Sequence, residues 1–325
     1  MRERDGAGSR RILSTSHGSN RQAFTPGDWA LFLSIGAIWG SSFLFIAEAL
    51  GSFEPGLITW LRVSFGAATL WLFRGARRKV ARKDMARVIA LSVLWVAIPF
   101  TLFPLAQQHV SSAVAGMLNG AVPVIAAAIA AMMLRALPGR TQLFGLVLGF
   151  AGIVLISVPE FGQGDTGAIG VAMILVADLC YGLAIVIATP LQQRYGALPV
   201  MARMLALAAV WTAPFGLASV RGSSFAWSAL GSTAILGVMG TGLAFVLMGS
   251  LVARVGSTRA AFAIYLIPVV ATFLGIVVRD EEVAPAAIVG VGLVIAGAVL
   301  ASRKEPVPAL RSTGKWTQGD SISPV

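Results

Sequence analysis

Ten apolar runs, each about as long as a bilayer is thick, constrain this chain more than anything else in it. A hydrocarbon core about 30 Å deep takes roughly 20 apolar helical residues to cross. The runs fall near 30–50, 55–73, 86–105, 110–134, 141–158, 167–188, 199–219, 227–249, 257–278 and 284–302 of the 325 residues. In lipid every backbone polar group must be satisfied inside the protein, so runs of this length are helices. The expectation is an all-α integral membrane protein with ten transmembrane helices. Only 12% of the residues are charged and the mean hydropathy is +0.82, which excludes an ordinary water-soluble enzyme. A single cysteine, Cys180, excludes an intrachain disulfide and a thiolate metal centre.

The polar ends, 1–28 and 303–325, are rich in Ser, Gly, Pro and Arg and are expected to be disordered cytoplasmic tails. The first run follows 28 polar residues, is of full spanning length and lacks a clear cleavage site, so it reads as an anchor and not as a signal peptide. With the amino terminus in the cytoplasm, 22 of the 25 Lys and Arg fall on the inner side. Glu54, Glu160, Asp165, Asp280, Glu281 and Glu282 then face outward. That bias places both termini in the cytoplasm and makes the helix count even. The net charge of +11 therefore reflects orientation and contact with anionic lipid, and no nucleic-acid partner is expected.

The chain also repeats itself. Setting Pro123 over Pro268 aligns 108–157 with 253–302 without a gap, matching Gly145 to Gly290 and Gly152 to Gly297. A compatible shift places Trp39-Gly40 over Tyr181-Gly182. Residues 29–158 and 166–302 thus read as two copies of one five-helix unit. Five is odd, so the second copy enters the membrane from the opposite side, the inverted-repeat plan of secondary transporters.

Trp39-Gly40-Ser41-Ser42-Phe43, Arg62, the paired Pro123 and Pro268, Glu281 thirteen residues after the second proline, and the endings Gly145…Ala151-Gly152 and Gly290…Ala296-Gly297 resemble the EamA family of the drug/metabolite transporter superfamily. The resemblance covers roughly 29–302. It implies a ten-helix carrier of two inverted repeats that exports or exchanges small metabolites, such as amino acids, across a bacterial inner membrane. One position departs from the pattern: Ala136 stands where the first copy usually has Glu.

Candidate substrate-binding residues are the polar and aromatic groups within the spans. Asp178 falls near the middle of the sixth run, where an unpaired carboxylate costs on the order of 3 kcal/mol. It is either a proton-coupling or substrate-ammonium site or a structural hydrogen-bond acceptor. Arg62 either pairs with Asp178, anchors a substrate carboxylate, or snorkels to the headgroups. Trp39 and Tyr181, equivalent in the two copies, offer one aromatic face each to a central cavity. Asn119 and Tyr265 precede the paired prolines, where side chains meet freed backbone carbonyls or substrate. Glu48, near the end of the first run, and His109, in the turn between the third and fourth, read as solvated residues or gates. Gly36-x-x-x-Gly40, Gly116-x-x-x-Gly120 and Gly145-x-x-x-Gly149 allow close helix packing.

With His17 and His109 the only histidines, neither a metal motif nor a hydrolase constellation assembles, and no cofactor, metal or ATP site is expected. The reading is a secondary exporter of a small metabolite, an amino acid or a related amphipathic compound, with small-molecule substrate, lipid and protons as partners. The alternatives are a non-transporting binding or signalling protein on the same fold, and an integral-membrane enzyme. A cavity is expected between helices one to four and six to nine, with five and ten outside it. The sequence leaves oligomeric state, substrate identity and coupling open.

Overall fold

A computed structural model describes residues 24–133, 139–161, 165–255 and 260–301, and among them it is built of helices joined by short links, with no strand. The helical runs are α1 (Pro26–Leu50), α2 (Pro55–Leu72), α3 (Arg82–Ala106), α4 (Ser112–Met133), α5 (Arg140–Phe161), α6 (Asp165–Tyr195), α7 (Ala197–Ser219), α8 (Trp227–Val255), α9 (Phe262–Arg279) and α10 (Pro285–Ala301). Among the described residues eight helices are long and apolar enough to cross a membrane. The other two are α2, whose apolar face is interrupted by Arg62, and the shorter α10. Most of the two tails, Ala136 and residues 162–164 of the α5–α6 link lie outside the described residues.

The helix α1 starts at Pro26, earlier than hydropathy places it. Thr25 accepts from the Asp28 backbone amide and Asp28 accepts from Thr25 in return, a capping box that satisfies the first amides before the apolar stretch begins. Two irregularities fall at the paired prolines. In α4 the helix breaks at Gly120–Ala121, because Pro123 has no N–H to give the Asn119 carbonyl. In α9 a 3₁₀ turn, Phe262–Tyr265, precedes Leu266, and Pro268 likewise offers nothing to the Ile264 carbonyl.

Two π-turns have no signal in the sequence. They occupy Ser92–Ala97 in α3 and Val238–Leu243 in α8. The neighbouring helix reads each one through a side chain: Trp211 of α7 donates to Ser92 Oγ at 3.1 Å, and Arg62 of α2 to Thr241 Oγ at 3.2 Å.

Glycine sets the closest approaches. The most extensive pair is α5 against α10, where a methyl at Gly152 would strike the Gly290 carbonyl and a methyl at Gly297 would strike that of Gly145. Those two contacts are images of each other under the 145-residue shift, and the pair is antiparallel. Both glycines of Gly36-x-x-x-Gly40 face α9, and both of Gly116-x-x-x-Gly120 do as well, so these spacings are used in packing.

Polar ties close both ends of the bundle. At the end where α1 begins, Arg254 of α8 pairs with Asp28, and Arg194 and Tyr195 of α6 both bond Asp84. At the opposite end Arg279 pairs with Glu48. There too the Glu281 carboxylate accepts from the backbone amides of Ser112 and Ala113 and from the Ser112 hydroxyl, covering the amide end of α4.

Candidate functional site

Between α1, α2, α3, α4, α6, α8 and α9 lies a cavity of about 780 Å³, counting its open mouth. No residue of α5, α7 or α10 lines it. Its wall is largely aromatic. Trp39 meets Phe245 edge to face with centroids 6.1 Å apart, Phe43 meets Phe103 at 5.5 Å, and Phe103 stacks on Tyr181 at 6.0 Å. Rings at these separations hold one another by edge–face and offset attraction, which makes the wall rigid.

Among the described residues Arg62 is the only charged one on that wall, and it is 7% exposed. Its carbon Cζ lies 4.0 Å over the Phe100 ring, and Nε donates to Thr241 Oγ. Phe100 is held there because Pro104, four residues on, cannot bond its carbonyl; Thr59 of α2 donates to that carbonyl at 2.9 Å instead. The ion pairs among the described residues do not include Arg62. Of the alternatives open to Arg62, pairing with Asp178 is therefore not the one the structure makes.

Asp178 is fully buried and is not on the cavity wall. Asn119, which is on the wall, donates from Nδ2 to Asp178 Oδ1 at 3.1 Å, while Oδ2 has no partner among the described residues. Tyr181 stands within electrostatic reach of both Asp178 and Arg62. Trp39 donates from Nε1 to the Gly240 carbonyl, inside the π-turn of α8, at 3.1 Å.

Trp39, Arg62, Asn119 and Tyr181 thus converge on one cavity. The other named residues do not. Tyr265 packs on Phe262 at 5.5 Å while its neighbours Ile264 and Ile267 face the cavity. His109 is half-buried in the α3–α4 turn, away from the wall. Glu48 is partly exposed and forms the ion pair with Arg279. Pro123 and Pro268 act through the backbone, with Pro268 lying against Gly120 where α4 and α9 cross. Sequence reasoning missed Phe100, Phe103, Phe245 and Thr241. Phenylalanines in an apolar run carry no mark of which face they occupy. Thr241 did carry a cue, since Gly237, Gly240 and Gly242 surround it and let α2 and α8 approach closely. A methyl at Gly66 of α2 would meet the Thr241 side chain at 2.7 Å.

Among the described residues no cluster of metal-binding side chains occurs. The site offers one cation, an aromatic enclosure, an amide and a shielded carboxyl, which suits binding a small molecule.

Comparison with known proteins points to transport. An uncharacterized transporter of Archaeoglobus fulgidus is 22% identical over 276 residues, covering 85% of this chain and 99% of its own. A protein of Streptantibioticus cattleyicolor named "probable terminal-alkyne amino-acid exporter" is 28% identical over 280 residues, covering 85% and 93%. A solved crystal structure at 18% identity covers 85% of this chain and 96% of its own with a TM-score of 0.57, which bears on the fold alone. The sequence model of one family matches twice, over residues 27–158 and 168–303, and the chain belongs to that family, the EamA-like transporters.

Proposed function

We propose that this protein is a secondary carrier of ten membrane spans, arranged as two inverted five-helix copies, 29–158 and 166–302. It exports a small metabolite, an amino acid or a related amphipathic compound, by alternating access between the copies. The observation that carries this reading is the central cavity, to which both copies contribute wall and which holds one charged side chain among aromatic rings. Several features support the repeat. The family matches twice, the α5–α10 glycine contacts recur as images of each other, and the π-turns and proline breaks fall at corresponding places. An antiparallel α5–α10 pair is what inversion demands. The S. cattleyicolor relative favours a substrate of the amino-acid class.

In this reading both termini are cytoplasmic and the membrane is a bacterial inner membrane. Protons are the coupling ion, taken up at Oδ2 of Asp178, with Asn119 joining that carboxyl to the cavity. The test is flux into proteoliposomes containing the purified chain. Saturable amino-acid movement, driven or altered by a pH gradient, is the expected result. Saturable binding without flux would leave a non-transporting receptor on the same fold.

A further inference from the structure

Thr241 is hydrogen-bonded on both sides. Its Oγ accepts from Arg62 Nε at 3.2 Å and donates to the Leu236 carbonyl, five residues back and just ahead of the π-turn, at 3.0 Å. The residue is fully buried, so neither bond is shared with bulk solvent. With Phe100 under the guanidinium plane and Thr241 on Nε, the Arg62 side chain is fixed at its root. Its two terminal amino groups make no bond to protein among the described residues, and they belong to the residue that lines the cavity.

A guanidinium presenting two parallel N–H donors matches a carboxylate in a bidentate pair, which Lys cannot reproduce. A buried cation without a counter-ion is expensive in a membrane, so an anion entering the cavity supplies what the protein leaves out. The rest of the wall is aromatic or aliphatic, apart from Ser42 and Asn119. Asp178, which could have met an ammonium group, is behind the wall and bonded to Asn119. An amine in this cavity would meet the charge of Arg62 with no carboxylate on the wall to offset it.

We infer that the cavity binds a monocarboxylate through the terminal amino groups of Arg62, aimed by Thr241 as a positioning residue. The remainder of the ligand is apolar or aromatic and needs no ammonium group. This deepens the carrier reading, narrowing its substrate from amino acids to the related amphipathic carboxylates that lack an ammonium group, and rests on the same cavity.

The test uses the full chain in nanodiscs, with quenching of intrinsic tryptophan fluorescence as the readout, since Trp39 and Trp95 line the cavity. The probes are 3-phenylpropanoate and 4-methylpentanoate, each beside its amide and the amine of equal length. Wild type should bind each carboxylate at least about tenfold more tightly than its amide or amine, the size of one charge-assisted hydrogen bond. Thr241→Val should lose most of that preference and Thr241→Ser should restore it, while binding of the amides stays unchanged, a pattern a general packing defect does not give. If Thr241→Val does not fold, Thr241→Cys, which nearly keeps the volume and offers Arg62 Nε only a weak acceptor, takes its place.

Equal binding of carboxylate and amine by wild type, or no binding of any carboxylate, overturns the ligand class. Preference lost in Arg62→Gln but kept in Thr241→Val overturns the positioning role and leaves the class standing. Normal carboxylate binding with no flux in proteoliposomes would count against the carrier reading and not against this inference.

Discussion

Asp178 is a carboxyl with one oxygen bonded and one bare, enclosed by the bundle, and a single amide connects it to the cavity. Asparagine at this position keeps the size and the acceptor for Asn119 but cannot carry a proton. Asp178→Asn should therefore be produced at near-normal abundance and should flatten the dependence of proteoliposome uptake on pH, measured between about pH 5 and 8. Unchanged uptake with an unchanged profile would make the carboxyl a structural acceptor. The sequence singled out Asp178 by depth alone. Its partner could not be read there, because Asn119 lies 59 positions away on another helix, and the choice of Asn119 over Arg62 was made by how α4 and α6 pack.

Among the elements, the α5–α10 pair is built with backbone against backbone, so a side chain added there has no flexible neighbour to push aside. Gly290→Val should lower stability by roughly 1–3 kcal/mol through overpacking, read as an earlier unfolding transition of the detergent-solubilised protein. Ligand preference should stay as in wild type, because neither helix reaches the cavity. An altered preference with normal stability would place α10 in the site. The glycines of this pair were legible from the repeat, as were the helix breaks at Asn119 and Ile264, since a proline removes the same donor wherever it stands. The π-turns were not. Ser92–Ala97 reads as an ordinary apolar turn, and its widening answers to α7 and α6, which pack beside it.

For the molecule as a whole, orientation follows from the distribution of cationic residues and is checked directly. Reporter fusions after Val325 and within 159–166 should report cytoplasm and exterior respectively. Matching signals from both would remove the inverted repeat and with it alternating access between like halves, whereas the expected pair in reverse would overturn the orientation alone. The ties at the two ends differ in kind. The Glu281 carboxylate covers the start of α4 across the bundle, whereas Ala136, its counterpart in the first copy, has no carboxylate to offer.

What the sequence determined by itself was whatever depends on one segment and its solvent: apolar runs long enough for a bilayer and prolines that break a helix. It also brought forward Trp39, Arg62, Asn119 and Tyr181, because polar and aromatic groups are conspicuous in an apolar span. The tertiary structure decided which of the ten candidates share a cavity, that Asp178 is screened by Asn119, and that Thr241 holds Arg62. The reason is geometric. A helix in lipid shows little difference in polarity between the face it turns to lipid and the face it turns to its neighbours, so its sequence does not mark its inner side. That side is fixed only when glycines such as Gly66 and Gly237 let particular backbones meet.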